Sequence, residues 1–307
     1  MVDLPSEQSQ KPLSISLREE GNIAVYASPA YGKSTFLQTL SMELARSHSP
    51  EHLHFYLLDF GTNGLLPLKA LPHVAETMMV DEDEKMMKFI RRIQEEMKRR
   101  KQLLSDYSVA NVQMYEEATG EVIPAIVLMI DSYEGFKDMS YEDALNKLLI
   151  SVTRDGQSIG IHVVVSATSS NAMRTLLANN FKTKIALRQN SQSDIREIVG
   201  RTTIEMEEIP GRGFIKLDEP RVFQTALPCE GATDLEVIQA IKEEVQLMDE
   251  SWTGNRPNPI PMMPEELTQS FFLSQPSVQQ AIQQGAIPIG LDYEDVEAVS
   301  IHSSYSE

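Results

Sequence analysis

The sequence predicts an α/β protein, a mostly parallel sheet with helices on both faces. Three observations carry this. Short apolar runs alternate with amphipathic helical stretches over residues 1–250; the first run passes through a tight loop straight into a helix; and two later runs end in an aspartate, Asp59 and Asp131. Continuous apolar strands are what a parallel sheet requires when helices cover both of its faces.

Taken in order, Ile23 to Ala27 is a short apolar run, and Lys33 to Arg46 reads as a helix with Phe36, Leu37, Leu40 and Leu44 on one side. Leu53 to Leu58 is a second buried strand, followed by an irregular stretch to about His73. Asp81 to Leu104 is a long charged helix, acidic in its first turn and basic near its end, as the helix dipole favours. Its interleaved charges read as a solvated face with i,i+4 ion pairs rather than a DNA-binding surface.

Ile126 to Ile130 is a strand ending in Asp131, and Ser140 to Asp143 starts a helix over Ala144 to Arg154. Ile161 to Val165 is a further strand. A short helix around Ala172 to Ala178, a strand at Ile185 to Leu187 and a capped helix from Ser191 to Val199 follow. Strands at Gly213 to Leu217 and Arg221 to Leu227 precede a last helix, Asp234 to Met248. Pro257, Pro259, Pro261 and Pro264 then mark residues 251–286 as a proline-rich, polar linker. Leu13-Ser-Ile15, ahead of the first strand, has a faint echo in Val299-Ser-Ile301.

Composition bounds the function. The chain has 307 residues and a formal charge of −18, with 27 Lys and Arg against 45 Asp and Glu. The deficit lies mostly in Cys229–Glu307, with 2 basic residues against 14 acidic ones. Nucleic-acid binding needs a basic footprint, so none is expected. A single cysteine, Cys229, fits a reducing compartment. The apolar runs at 124–130 and 161–167 fall far short of the roughly 20 residues of a membrane helix. The N-terminus shows no secretory signal pattern. His52 and His54 lack partners at metal-ligand spacing and read as ordinary strand residues.

The chemistry lies in the loop Ala27-Ser28-Pro29-Ala30-Tyr31-Gly32-Lys33-Ser34-Thr35. Between a strand and a helix, such a loop wraps phosphates with backbone N–H groups; the lysine reaches the β/γ-phosphates and the Ser hydroxyl binds Mg2+. Ala27 stands where the pattern has its first glycine, and its methyl raises the cost of any positive φ there. Asp131 is the expected second Mg2+ carboxylate, beside Ser34. Ser132 follows it where a glutamate usually polarises water, and serine is a poor base. Glu134 substitutes only if the loop bends it back, and otherwise reads as a solvated carboxylate. Asp59 faces the site or serves a turn. Thr168 and Ser169 sense the γ-phosphate or end a strand as a hydroxyl turn. Arg154, Arg188, Arg196, Arg201 and Arg212 are candidates for reaching a neighbouring subunit's nucleotide, or are surface ion-pair residues.

With Gly21 to Tyr26 before this loop, Tyr56-Leu-Leu-Asp-Phe-Gly61, Leu71-Pro-His73, Arg154 to His162, Leu187 to Asn190, Asp194 to Arg201 and Ile209 to Gly213, the chain resembles ATPase modules of the FtsK/SpoIIIE class. Within that class it is similar to the EssC/EccC-type ATPases of type VII secretion, which carry such modules in tandem. The resemblance implies a P-loop NTPase fold, RecA-like or FtsK-like. It implies ATP and Mg2+ as ligands, and Lys33, Asp131 and Thr168 as catalytic candidates. It further implies neighbouring modules in the same polypeptide, a hexameric machine at the cytoplasmic face of the membrane, and small helical secreted substrates. Residues 287–307 are similar to the start of a following module, so this one is central. Ala27, Ser132, Gln157 in place of arginine and Ser169 in place of glutamine depart from the pattern. They imply ATP binding with slow or no hydrolysis; a nucleotide-independent docking module is the alternative, and a DNA translocase a third.

Overall fold

A computed structural model describes residues 2–4, 9–11, 14–216 and 219–301. The chain divides into two compact units, Met1–Asn258 and Pro259–Glu307. Leu13, the first residue of the faint repeat, and Leu217, the expected end of a strand, lie outside the described residues, as do residues 302–307.

The first unit is built on a ten-stranded sheet. Its strands are β1 (Val2–Leu4), β2 (Ser9–Lys11), β3 (Ile23–Tyr26), β4 (Leu53–Asp59), β5 (Val74–Met79), β6 (Ala125–Asp131), β7 (Ile161–Ala167), β8 (Thr183–Leu187), β9 (Arg212–Lys216) and β10 (Pro220–Gln224). The order across the sheet is β2-β1-β10-β9-β8-β3-β7-β6-β4-β5. From β8 to β5 every neighbouring pair is parallel, and from β8 to β2 every pair is antiparallel. The helices are α1 (Leu17–Glu20), α2 (Lys33–Ser47), α3 (Asp83–Asp106), α4 (Val112–Thr119), α5 (Glu142–Asp155), α6 (Thr175–Ala178), α7 (Gln192–Val199) and α8 (Asp234–Ser251).

Alternation along the strands separates two cores. Val25, Phe55, Leu57, Val127, Met129 and Val164 pack with Leu37 and Met42 of α2 and with Val237, Ile241 and Val245 of α8. The intervening residues face the other way, where Tyr56 meets Phe89 of α3 with ring centroids 5.2 Å apart. At the central strands, buried residues on both faces explain why β6 reads as a continuous apolar run.

Several elements differ from the sequence reading, β1, β2 and α1 among them. Val74–Met79 forms the edge strand β5 where the sequence suggested only the end of an irregular stretch, and α4 was not foreseen. The charged helix α3 does carry its ion pairs, Lys88 with Glu84 and Arg100 with Glu96. Yet Lys88 and Arg100 are 7% and 2% exposed, so that part of the helix is not a solvated face.

The second unit contains α9 (Gln269–Ser274), α10 (Pro276–Gln283) and a two-stranded antiparallel hairpin of β11 (Ile287–Leu291) and β12 (Ala298–Ile301). Both short helices fall inside the stretch that the sequence marks as linker. The amide of Ala298 in β12 donates to Ser277 Oγ of α10, at 3.0 Å. No helix among the described residues is long and apolar enough to cross a membrane.

Candidate nucleotide site

Parallel strands deliver their C-terminal ends to one edge of a sheet, where ligands of α/β folds bind. Here β3, β7 and β6 lie side by side, so the loop after β3 and the aspartate ending β6 reach the same edge with β7 between them. The loop leaves the sheet late. Ala27 is fully buried and its N–H still donates to Ala167 O of β7, at 3.1 Å, while Ser28 N–H donates to Arg188 O at 2.8 Å.

The positive φ angles of the loop fall at Ala30 (67°) and Gly32 (94°), not at Ala27. The cost expected of Ala27 therefore does not arise there, because that residue continues the strand. Ala30 carries it instead, on the order of 1 kcal/mol for a non-glycine residue in the left-handed region. Gly32 has a further reason to be glycine: a Cβ would stand 3.1 Å from the backbone N of Gly211. Gly32 is the N-cap of α2, so the free N–H groups of Lys33, Ser34 and Thr35 open at the end of the loop.

Side chains complete the arrangement. Lys33 Nζ folds across the loop and donates to Ala27 O at 3.0 Å. Ser34 Oγ donates to Asp131 Oδ2 at 2.6 Å, so residues 97 apart in sequence meet. Asp131 is 1% exposed, and its second oxygen accepts from Ser166 Oγ at 2.6 Å. Ser166 also accepts from the N–H of Ser132, at 2.9 Å, fixing the chain as it leaves β6. A serine hydroxyl beside a carboxylate is a hard-oxygen pair of the kind Mg2+ prefers, so the residues present fit that ion.

The stretch after β4 forms a wall over this pair. Asp59 accepts from Leu65 N–H at 2.8 Å and from Gly61 N–H at 3.2 Å, which makes it a loop anchor, and burial raises its pKa, with Asp131 nearby adding to the effect. Gln38 of α2 donates to Gly64 O at 2.6 Å. A Cβ on Gly64 would lie 2.6 Å from Asp131 Oδ2 and 2.7 Å from Ser34 Oγ. One on Gly61 would lie 2.7 Å from Ser132 Oγ. Gln38, Gly64 and Ser166 escaped the sequence reading, and only Ser166, a lone hydroxyl inside an apolar strand, left a signal there.

The remaining candidates are distributed as follows. Thr168 directly follows β7, and its N–H donates to Glu134 Oε2 at 3.2 Å. Ser169 is extended and begins a short 3-10 turn. Gln157 donates to Arg18 O and Glu19 O, at 3.0 and 2.9 Å, and so ties down the end of α1. Arg154, Arg188 and Arg212 form ion pairs with Asp155, Glu208 and Glu207. Arg196 lies in α7 and Arg201 just beyond it.

Comparison with known proteins agrees with this fold. The family model of FtsK/SpoIIIE matches residues 1–209. The type VII secretion system protein EssC of Staphylococcus aureus strain Mu50 is 37% identical over 296 residues, covering 96% of this chain and 20% of that protein. The chain thus spans about a fifth of the length of that relative. The solved structure of EssC ATPases 2 and 3 from Geobacillus thermodenitrificans has a TM-score of 0.89 at 36% identity, covering 98% of this chain and 57% of that one. A structure of the cytoplasmic domain of EssC has a TM-score of 0.81 at 37% identity, covering 92% and 55%. With a phosphate-loop edge built on a mostly parallel sheet and with these matches, the chain belongs to the FtsK/SpoIIIE family, as a homologue of the ATPase modules of EssC.

Proposed function

We propose that this chain is an ATP-binding module of a type VII secretion motor, with slow hydrolysis, that couples its nucleotide state to protein export. The observation that carries the reading is the Ser34–Asp131 contact of 2.6 Å beside the Lys33 loop. It joins the two halves of a Mg2+-nucleotide site across an intervening strand. Gly32, Lys33, Ser34 and Thr35 hold the phosphates, with Ala27 to Tyr31 forming the rest of the cradle. Ser34 and Asp131 hold Mg2+, which neutralises charge on the β- and γ-phosphates when bound. Lys33 releases Ala27 O to meet phosphate, and Thr168 senses its presence from the end of β7.

Slow turnover follows from Ser132, which leaves no carboxylate directly after Asp131, so that any base must reach the water from a later residue. The names and coverage of the relatives support placement in a tandem array, with residues 1–250 as one module, 251–286 linking it onward and 287–307 beginning the next. In that setting neighbouring modules of the same polypeptide are the first partners and a hexamer the assembly. The site is the cytoplasmic face of the membrane, small helical proteins are the exported substrates, and nucleic acid has no part.

Calorimetric titration of MgATP into the wild type and Lys33→Ala tests the reading. Saturable heat from the wild type that is absent in the variant is expected. Flat titrations from both would overturn it and leave a nucleotide-independent docking module.

A further inference from the structure

The chain turns sharply where the usual glutamate is missing. Ser132 is left-handed, with φ 62° and ψ 67°, and a short 3-10 turn covers Tyr133–Phe136. Gly135 N–H closes that turn on Ser132 O at 2.8 Å. The reversal brings the partly exposed Glu134 back to the sheet edge, where its carboxylate accepts from the Thr168 N–H at 3.2 Å. The neighbouring residue on that strand, Ala167, is the one whose carbonyl receives Ala27 N–H, at 3.1 Å. The carboxylate therefore stands between the strand of Asp131 and the start of the phosphate loop.

The frame that holds it is rigid. A Cβ on Gly135 would lie 2.1 Å from Phe60 O, so only glycine lets the turn approach so closely. Phe136 is 1% exposed and packs against Phe60 and Tyr133, with ring centroids 5.0 and 4.8 Å apart. Phe60 N–H in turn donates to Asp131 O at 3.0 Å, and the Tyr133 hydroxyl bonds to Asn146. Glu134 is thus carried by the same packing that fixes Asp131.

Resting on the nucleotide reading above, we propose that Glu134 is the catalytic base for ATP hydrolysis in this module, replacing the carboxylate that Ser132 lacks. Water attacks the γ-phosphorus and gives its proton to the Glu134 carboxylate. The bond from the γ-phosphorus to the β–γ bridging oxygen breaks, with its electron pair left on ADP. Inorganic phosphate departs, and Glu134 returns the proton to solvent. The single amide bond from Thr168 aims the carboxylate while leaving lone pairs for water.

The test is single-turnover hydrolysis of MgATP with the 307-residue chain in excess, for wild type and Glu134→Gln, with MgATP affinity and thermal midpoint measured on the same samples. Glutamine still accepts from Thr168, so the turn is retained. The expected result is a rate lowered about 100-fold with affinity and midpoint unchanged, the size general-base loss commonly has. A variant that hydrolyses at the wild-type rate overturns the proposal, as does a wild type that binds MgATP yet releases no phosphate. A wild type that binds no MgATP overturns the nucleotide reading itself, and this assignment with it.

Discussion

Gly64 is a residue on which the proposed metal position is exposed to change. A side chain there would run into both Ser34 and Asp131, so the site has room only because none is present. Gly64→Ala places a methyl 2.6 Å from Asp131 Oδ2, and overpacking of this kind costs ~1–3 kcal/mol. The account predicts MgATP binding weakened about tenfold or more, with the unfolding midpoint lowered by a few degrees. Calorimetry checks it, and unaltered affinity would show that the Gly61–Leu65 wall yields freely. At this scale the sequence was informative where the chemistry is local. Gly32, Lys33, Ser34 and Asp131 announced themselves by spacing and position. Gly64 and Gln38 did not, because their meaning comes from a loop that returns over the site.

Among the elements, α3 shows how a charged helix becomes part of the core. Arg100 donates to Ile159 O and Pro124 O, each at 2.8 Å, and to Glu96 Oε1 at 2.6 Å. It thereby gives a donor to the carbonyls just ahead of β6 and β7. Burial depresses its pKa, an effect the charge of Glu96 opposes. Arg100→Ala removes the donors and leaves the carbonyls unpaired, while Glu96 keeps its ion pair with Arg99. Urea denaturation is expected to show a loss of about 3 kcal/mol, and a loss under about 1 kcal/mol would contradict this role. Periodicity revealed α3 but not the burial of this arginine, since a basic residue in a charged helix carries no mark of the strand ends beneath it. The edge strand β5 was obscured for a related reason. Val-Ala-Glu-Thr-Met-Met has polar residues, Glu76 and Thr77, in mid-strand, which break the apolar run. The α2 and β6 elements were plain because their patterns are set by burial on a known face.

For the whole molecule, two buried histidines and the half-buried His54 set the response to pH. Burial lowers the pKa of His54, His73 and His162 from the ordinary 6.5, against opposing hydrogen bonds to backbone carbonyls. His162 Nδ1 lies 2.7 Å from Gly21 O, and His73 Nε2 lies 2.7 Å from His48 O. A lowered folded pKa means that the unfolded chain binds protons first. Stability is therefore full above about pH 6.5 and falls as pH drops toward the folded values. Thermal unfolding at pH 5.5 should show a lower midpoint than at pH 7.5; an equal or higher midpoint would contradict the sign. The fold class was legible at this scale from strand–helix alternation, and the antiparallel edge from β9 to β2 was not, because its strands are three to five residues long and too short to display a pattern. The charge was less telling than its placement. Most of the net −18 lies beyond residue 228, in α8 and the second unit, and the sheet edge carrying Lys33 and Asp131 belongs to the nearly balanced remainder.

The central claim is that the Ser34–Asp131 edge holds a metal-nucleotide complex. A crystal structure of the chain grown with Mg2+ and a non-hydrolysable ATP analogue tests it most directly. The account predicts phosphates on the N–H groups of Gly32 to Thr35, Lys33 turned from Ala27 O to phosphate, and an ion between Ser34 and Asp131. An unchanged Lys33–Ala27 contact with the Ser34–Asp131 hydrogen bond intact at millimolar nucleotide would contradict it.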